Sequence, residues 1–125
     1  MKIISTANAP AAVGPYSQAI QAGDFLYLSG QIPLVPETGL LVSESISEQS
    51  EQVMKNLRAV CEAAGGSLHK IVKCTVFMTD LAQFQTMNEI YARHFADHKP
   101  ARSTIQVAAL PRGASVEIEA IMYLK

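Results

Sequence analysis

The sequence has no tryptophan, only two cysteines and an aromatic content of 6% over 125 residues. It also lacks charge of one sign: ten Lys and Arg face eleven Asp and Glu, for a net charge of -1. Each shortage excludes a class of function. A near-neutral chain without a basic stripe offers no field for a nucleic-acid backbone or an anionic membrane. No apolar run approaches the roughly 20 residues of a membrane-spanning helix. The opening residues, Met1-Lys2-Ile3-Ile4-Ser5-Thr6, hold no extended apolar region of the secretory kind. A cytoplasmic protein is therefore expected. Cys61 and Cys74 fall in a predicted helix and a predicted strand, as small buried hydrophobes in a reducing compartment do. There is no repeat, low-complexity tract or linker, so residues 1–125 are expected to form one domain with its own core.

Several kinds of chemistry are missing as well. Gly65-Gly66 is not followed by the Lys-Ser/Thr of a phosphate loop and reads as a helix stop. No serine sits in a nucleophile-elbow pattern. His94 and His98 are four apart with Asp97 between them, but no third ligand stands at an informative spacing. They suit the end of a helix, whose dipole favours them. His69 lies in a polar connection and is expected to face solvent. Neither a metal nor a cofactor is expected.

What is present reads as strands and helices in turn. Ile3-Ile4-Ser5 is a short edge strand. Two prolines and a glycine make Ala9 to Tyr16 a fixed loop that delivers Tyr16. Ser17–Ala22 and Phe25–Gln31 form a hairpin around Gly23-Asp24; its second arm ends at Ser29-Gly30, where a missing side chain lets another group approach the backbone. A helix begins at Ser45 with a capping box to Glu48, and buries Ile46, Val53, Leu57, Val60, Cys61 and Ala64. Ile71–Thr79 alternates, with Val72, Cys74, Val76 and Met78 on one face. Asp80–Gln83 offers a second capping box. The next helix carries Phe84, Asn88, Tyr91 and Phe95 on one stripe and ends before Pro100. Pro100–Val107 and Val116–Glu119 are strands. The order ββαβαββ implies an α+β domain with two helices on one face of a sheet. The other face, with Lys73, Thr75, Phe77, Glu117, Glu119, Ile121 and Tyr123, is too apolar to leave in water, which predicts a homo-oligomer with sites near the subunit contacts.

Two charged residues carry the functional reading. Arg102 offers a planar fork that matches a carboxylate, and Glu117 lies in an otherwise apolar strand, an expensive placement without a partner or a task. If their strands are neighbours, both can face one cavity, with Arg102 favouring the ionised form of Glu117. The alternative is an ion pair at a strand end or subunit contact. Tyr16 either packs in the core or lines this site. Asn88, on an apolar stripe, needs a hydrogen-bond partner from a loop or a ligand.

Five segments together are distinctive: Asn8-Ala9-Pro10-Ala11-Ala12-Val13-Gly14-Pro15-Tyr16-Ser17-Gln18, Ser29-Gly30-Gln31-Ile32-Pro33, Lys73-Cys74-Thr75-Val76-Phe77, Pro100-Ala101-Arg102-Ser103 and Val116-Glu117-Ile118-Glu119-Ala120. In order and over nearly the whole chain they resemble the RidA (YjgF/UK114-like) family, in its archetypal enamine/imine deaminase branch. The resemblance implies a chorismate-mutase-like subunit and a homotrimer with three clefts between subunits. It implies cofactor-free hydrolysis of 2-imino acids, arising from 2-aminoacrylate and 2-aminocrotonate released by pyridoxal-phosphate dehydratases, to 2-keto acids and ammonia. That reaction would protect other pyridoxal-phosphate enzymes. By matching motif, Arg102 would hold the substrate carboxylate and Glu117 would position or activate water. Tyr16, Ser29, Gly30, Asn88 and Thr104 would line the cleft. Thr104 stands where many members carry cysteine. A non-catalytic metabolite-binding or regulatory trimer is the competing reading; a ribonuclease finds no basic stripe here.

Overall fold

The computed structural model describes all residues, Met1–Lys125. Six strands and two long helices appear in the order β1 (Lys2–Ile4), β2 (Ala19–Ala22), β3 (Phe25–Gln31), α1 (Ile46–Ala63), β4 (Ile71–Met78), α2 (Phe84–Phe95), β5 (Ala101–Gln106) and β6 (Val116–Tyr123). The α+β class holds, and the expected order ββαβαββ is corrected by one further strand ahead of it, the short β1 at a sheet edge. The strands form one sheet in the spatial order β1-β2-β3-β6-β4-β5. Only β4 and β5 run parallel. A parallel pair cannot be closed by a tight turn, and α2 is the crossover that joins them. No helix is long and apolar enough to cross a membrane.

Both helices cover the same face. Val53, Leu57, Val60 and Cys61 of α1 and Met87, Tyr91 and Phe95 of α2 close over Leu26, Cys74, Val76, Val116, Ile118 and Met122 of the sheet. Both cysteines are free and buried, and burial pushes the Cys61 thiol up to about 12. The opposite face is open. Phe25, Tyr27 and Tyr123 are exposed on it, and Tyr27, Lys73, Thr75, Glu119 and Ile121 line a shallow hollow there.

Local chemistry sets the element ends, with some corrections. Ser45 caps α1 by accepting from the Glu48 N–H at 3.3 Å. The reciprocal half of the capping box is absent, because the Glu48 carboxylate takes its hydrogen bond from the Ser43 hydroxyl instead. Asp80 likewise caps locally, accepting from the Ala82 N–H in a 3₁₀ turn ahead of α2. At the other end of α1, Gly65 adopts φ +84°. The bonds from Gly66 N–H to Cys61 and from Gly65 N–H to Glu62 complete a Schellman stop. Val72 does not join the buried face of β4. The register with β6 shifts between Ile71 and Lys73, so Ile71 turns inward and Val72 is left 42% exposed.

The histidines hold the helices together and diverge from one another. His94 donates to Glu51 at 2.7 Å and accepts from Arg58 at 3.0 Å, a pattern one neutral tautomer satisfies. The hydrogen bond to His94 holds the Glu51 carboxyl below its usual range. His98 contacts the Ile71 carbonyl instead, and His69 is exposed.

Candidate active site

β4 lies between β5 and β6, so Arg102 and Glu117 are not on neighbouring strands. Arg102 stands opposite Cys74 in the register, and Glu117 stands opposite Phe77. Lateral partners share a face. Cys74 is buried under the helices, so Arg102 is directed to the helix side. Glu117 follows the other parity of β6 and points to the open side. Two strand spacings, about 10 Å, and the sheet itself separate them within one chain. The single-chain cavity and the in-chain ion pair are therefore both corrected. The residues form two half-sites on opposite faces.

The Glu117 half-site is a concavity of about 640 Å³ that brings together Tyr16, Ser29, Gly30 and Glu117 with Val13, Ile32, Arg112 and Glu119. Tyr16 is 54% exposed, which rules out core packing. Its loop is held by a buried amide. Gln18 donates to the Thr6 and Pro10 carbonyls at 3.0 and 2.8 Å and accepts from the Thr6 N–H at 2.7 Å. Ser29 donates to the Ser17 carbonyl at 2.6 Å, which ties the start of the bulge to the same loop. A second buried amide, Asn56, donates to the Ile32 and Leu34 carbonyls at 3.3 and 2.9 Å and fixes the loop on the other side.

Gly30 is where β3 loses register with β6, between Leu28 and Gln31. The Glu117 carboxylate fills the space a side chain would occupy there, so a Cβ on Gly30 would overlap it. Packed against this backbone, Glu117 has its pKa raised, first by burial and then by the neighbouring charge of Glu119. The expected effect of Arg102 on Glu117 is thus reversed within one chain: the ionised form is disfavoured.

The Arg102 half-site lies at the β5 edge, in a hollow of about 390 Å³ with Asn88, Tyr91, Phe95, His98, Lys99 and Pro100. Arg102 Nη1 donates to Asn88 Oδ1 at 2.6 Å. The partner Asn88 needs thus comes from the side chain of a β5 residue, and not from a loop or a ligand as expected. The guanidinium carbon lies 4.8 Å from the Tyr91 ring centre and 5.4 Å from that of Phe84. Thr104 has the same parity as Arg102, but its hydroxyl is buried without a partner and lines neither hollow.

Periodicity did not reveal Gln18, Asn56 or Arg112. The amides act on backbone far away in sequence, which leaves no local signal. Arg112 is placed by an unusual backbone: it adopts φ +61° and donates to the Gly39 carbonyl at 3.2 Å. Glu119 shares the parity of Glu117, which was visible, but nothing in the sequence put it beside the same loop.

A family model described as Endoribonuclease L-PSP matches residues 6–124. The chain is 53% identical over 123 residues to "Reactive Intermediate Deaminase A, chloroplastic" of Arabidopsis thaliana, covering 98% of this chain and 66% of that protein. It is 51% identical over 120 residues to the Mus musculus protein named 2-iminobutanoate/2-iminopropanoate deaminase, covering 96% of this chain and 89% of the relative. Among solved structures, E. coli TdcF with bound serine superposes with a TM-score of 0.94 at 44% identity, over 98% of each chain.

Proposed function

Because the chain belongs to the Endoribonuclease L-PSP family, the RidA/YjgF proteins, we propose that its two half-sites together hydrolyse reactive 2-imino acids. The protein is a 2-iminobutanoate/2-iminopropanoate deaminase, converting these imines to 2-keto acids and ammonia. What supports the site assignment is that the chain presents, on opposite faces, a guanidinium held by α2 and a carboxylate whose pKa is raised by burial. The first suits a substrate carboxylate, and the second suits a base.

The substrate brings its own electrophile. Water adds to the protonated imine carbon as Glu117 takes one of its protons and passes it to the nitrogen; the C–N bond of the carbinolamine then breaks, and the hydroxyl proton left behind goes to the departing ammonia, giving ketone and ammonium. Arg102 grips the carboxylate two atoms away and holds the carbon in place. Tyr16, Ser29 and Gly30 shape the wall beside Glu117, and Asn88 orients Arg102. A carboxylate anchor is in keeping with the serine bound to the related TdcF.

Arg102 and Glu117 lie on opposite faces, so one complete site takes two copies of the chain. We assign the assembly as a homotrimer in which the open face and Glu117 half-site of one subunit meet the β5 edge of the next, giving three clefts. The exposed Phe25, Tyr27 and Tyr123 on that face support its burial. Its imines would come from pyridoxal-phosphate dehydratases in the same compartment, the cytoplasm.

A coupled assay tests this reading. A threonine or serine dehydratase generates the imine, and 2-keto acid is followed with and without this protein. Acceleration is expected, and Arg102→Ala should lower kcat/KM by about 10- to 150-fold, the worth of a charge-assisted hydrogen bond. Arg102→Lys should fail nearly as badly, since an ammonium cannot reproduce the fork. Retained activity in Arg102→Lys would reduce the contact to a coulombic one. A folded oligomer that gives no acceleration would favour the metabolite-binding reading.

Gly30→Ala should lower kcat by about 10²-fold at nearly unchanged thermal stability, because the displaced group is the tip of the Glu117 side chain. Full activity in Gly30→Ala would show that the carboxylate does not work from this position.

A further inference from the structure

Arg102 leaves an edge strand at an exposed position, where an arginine ordinarily samples many rotamers. Here it is confined. Asn88 holds one edge of the guanidinium, and the rings of Tyr91 and Phe84 lie against it at 4.8 and 5.4 Å. All three partners belong to α2, at positions 84, 88 and 91, and so form a single stripe of that helix. We propose that Phe84, Asn88 and Tyr91 act as a cradle that sets the orientation of Arg102, with the Tyr91 ring as its principal positioning element. The proposal rests on the reading of Arg102 as the carboxylate anchor and adds what makes that anchor rigid.

The geometry divides the guanidinium sensibly. The two ring centres lie within cation–π range of the guanidinium carbon, an attraction that uses none of its N–H donors. Asn88 uses one N–H at the edge. The remaining edge donors stay free for two carboxylate oxygens. A side chain oriented in advance loses less freedom when the substrate binds, so the cradle acts on binding.

Within Tyr91 the ring, and not the hydroxyl, does the positioning. The hydroxyl is buried beside the Cys74 thiol and the Arg102 guanidinium but makes no hydrogen bond of good geometry with either. The ring is anchored from behind by Phe95, 4.6 Å away centre to centre. Removing an unpartnered buried hydroxyl should leave the cradle intact and add a little stability.

The substrate carboxylate is present in both the bound imine and the transition state, so a loosened anchor weakens both alike and appears in KM. Tyr91→Phe should keep kcat and KM within about 2-fold of wild type, whereas Tyr91→Leu should raise KM by ~10-fold with kcat within ~3-fold. Phe84→Leu, at a half-buried position, should raise KM by ~3-fold and carries the same test if Tyr91→Leu does not fold. The second readout is the ¹⁵N NMR signal of the Arg102 side chain. Slow guanidinium rotation is expected in wild type and Tyr91→Phe, and fast rotation in Tyr91→Leu or Phe84→Leu. Unchanged KM and unchanged Arg102 rotation in the leucine variants would overturn the cradle. A Tyr91→Phe defect as large as that of Tyr91→Leu would overturn the role of the ring. If the wild-type protein hydrolyses no imine, the deaminase reading fails, and the NMR signal alone still decides whether α2 fixes Arg102.

Discussion

Glu117→Gln should lower kcat by about 10²- to 10⁴-fold, the usual contribution of a positioned acid–base group, with a much smaller change in KM. Glutamine has nearly the same shape, so it keeps the contact with Gly30 and removes only the ability to take a proton. The pH dependence follows from the raised pKa of Glu117. The working base is the ionised form, so wild-type activity should fall as pH drops, along a limb set by the Glu117 pKa, which burial raises and which the Arg102 of the next subunit would lower in the shared cleft. That limb should be absent from the residual rate of Glu117→Gln; an identical profile in both would remove Glu117 as the base. Stability should move the other way. Raising a carboxyl pKa on folding means that the folded state disfavours the charge. The cost is full above the folded pKa and disappears below the unfolded one. Glu117→Gln should therefore melt slightly higher than wild type near neutral pH, with the gap closing as pH falls toward 4. The gain is small, since Glu117 is only half-buried and water screens it. A less active, more stable variant is the expected mark of a carboxylate kept for chemistry.

Local signals in the sequence were enough for most of the elements. Ser45 and Gly65-Gly66 bracket α1 by cap chemistry, and strict alternation marks β6 with both of its faces correctly divided. The pairing of strands was less legible. Pro100–Val107 and Val116–Glu119 are close in sequence and look like a hairpin, yet β6 enters between β3 and β4 and leaves β5 at the edge. The connection over residues 107–115 is long for a hairpin and long enough to pass beyond β4, and its first and last residues bond back to the end of β4 through Val107 to Met78 and Thr79 to Ser115. That length was the available sign. The same placement explains why the two charged residues were rightly singled out but wrongly put in one cavity. Their chemistry is written in their side chains, whereas their faces depend on register. Val72 shows the same limit on a smaller scale: alternation assigns it inward, and one bulge turns it out. The buried amides Gln18 and Asn56, which fix the loops on either side of Glu117, satisfy distant carbonyls and leave no pattern to read.

The placement of Arg102 and Glu117 on opposite faces leads to the second large effect. Assayed below KM, chains carrying Arg102→Ala should keep at most about a tenth of wild-type activity and chains carrying Glu117→Gln about a hundredth, yet activity should rise well above both when they are unfolded together and refolded as a mixture. A contact that joins the open face of one subunit to the edge of the next unites unlike surfaces. Such a head-to-tail contact closes as a ring when its rotation permits, and the ring proposed above has three members. Each cleft then draws Glu117 from one chain and Arg102 from its neighbour. In a random 1:1 mixture a cleft receives an intact Glu117 with probability one half and an intact Arg102 with probability one half. About one quarter of clefts should be fully wild type, and about one quarter of wild-type activity should return. Were both residues supplied by the same chain, every cleft would hold one defect and the mixture would stay at the level of its parents. Mixing folded proteins without unfolding gives the control, because recovery should then appear only as fast as subunits exchange. Activity near a quarter establishes a shared cleft without any ligand-bound structure, and activity at the parental level would overturn it.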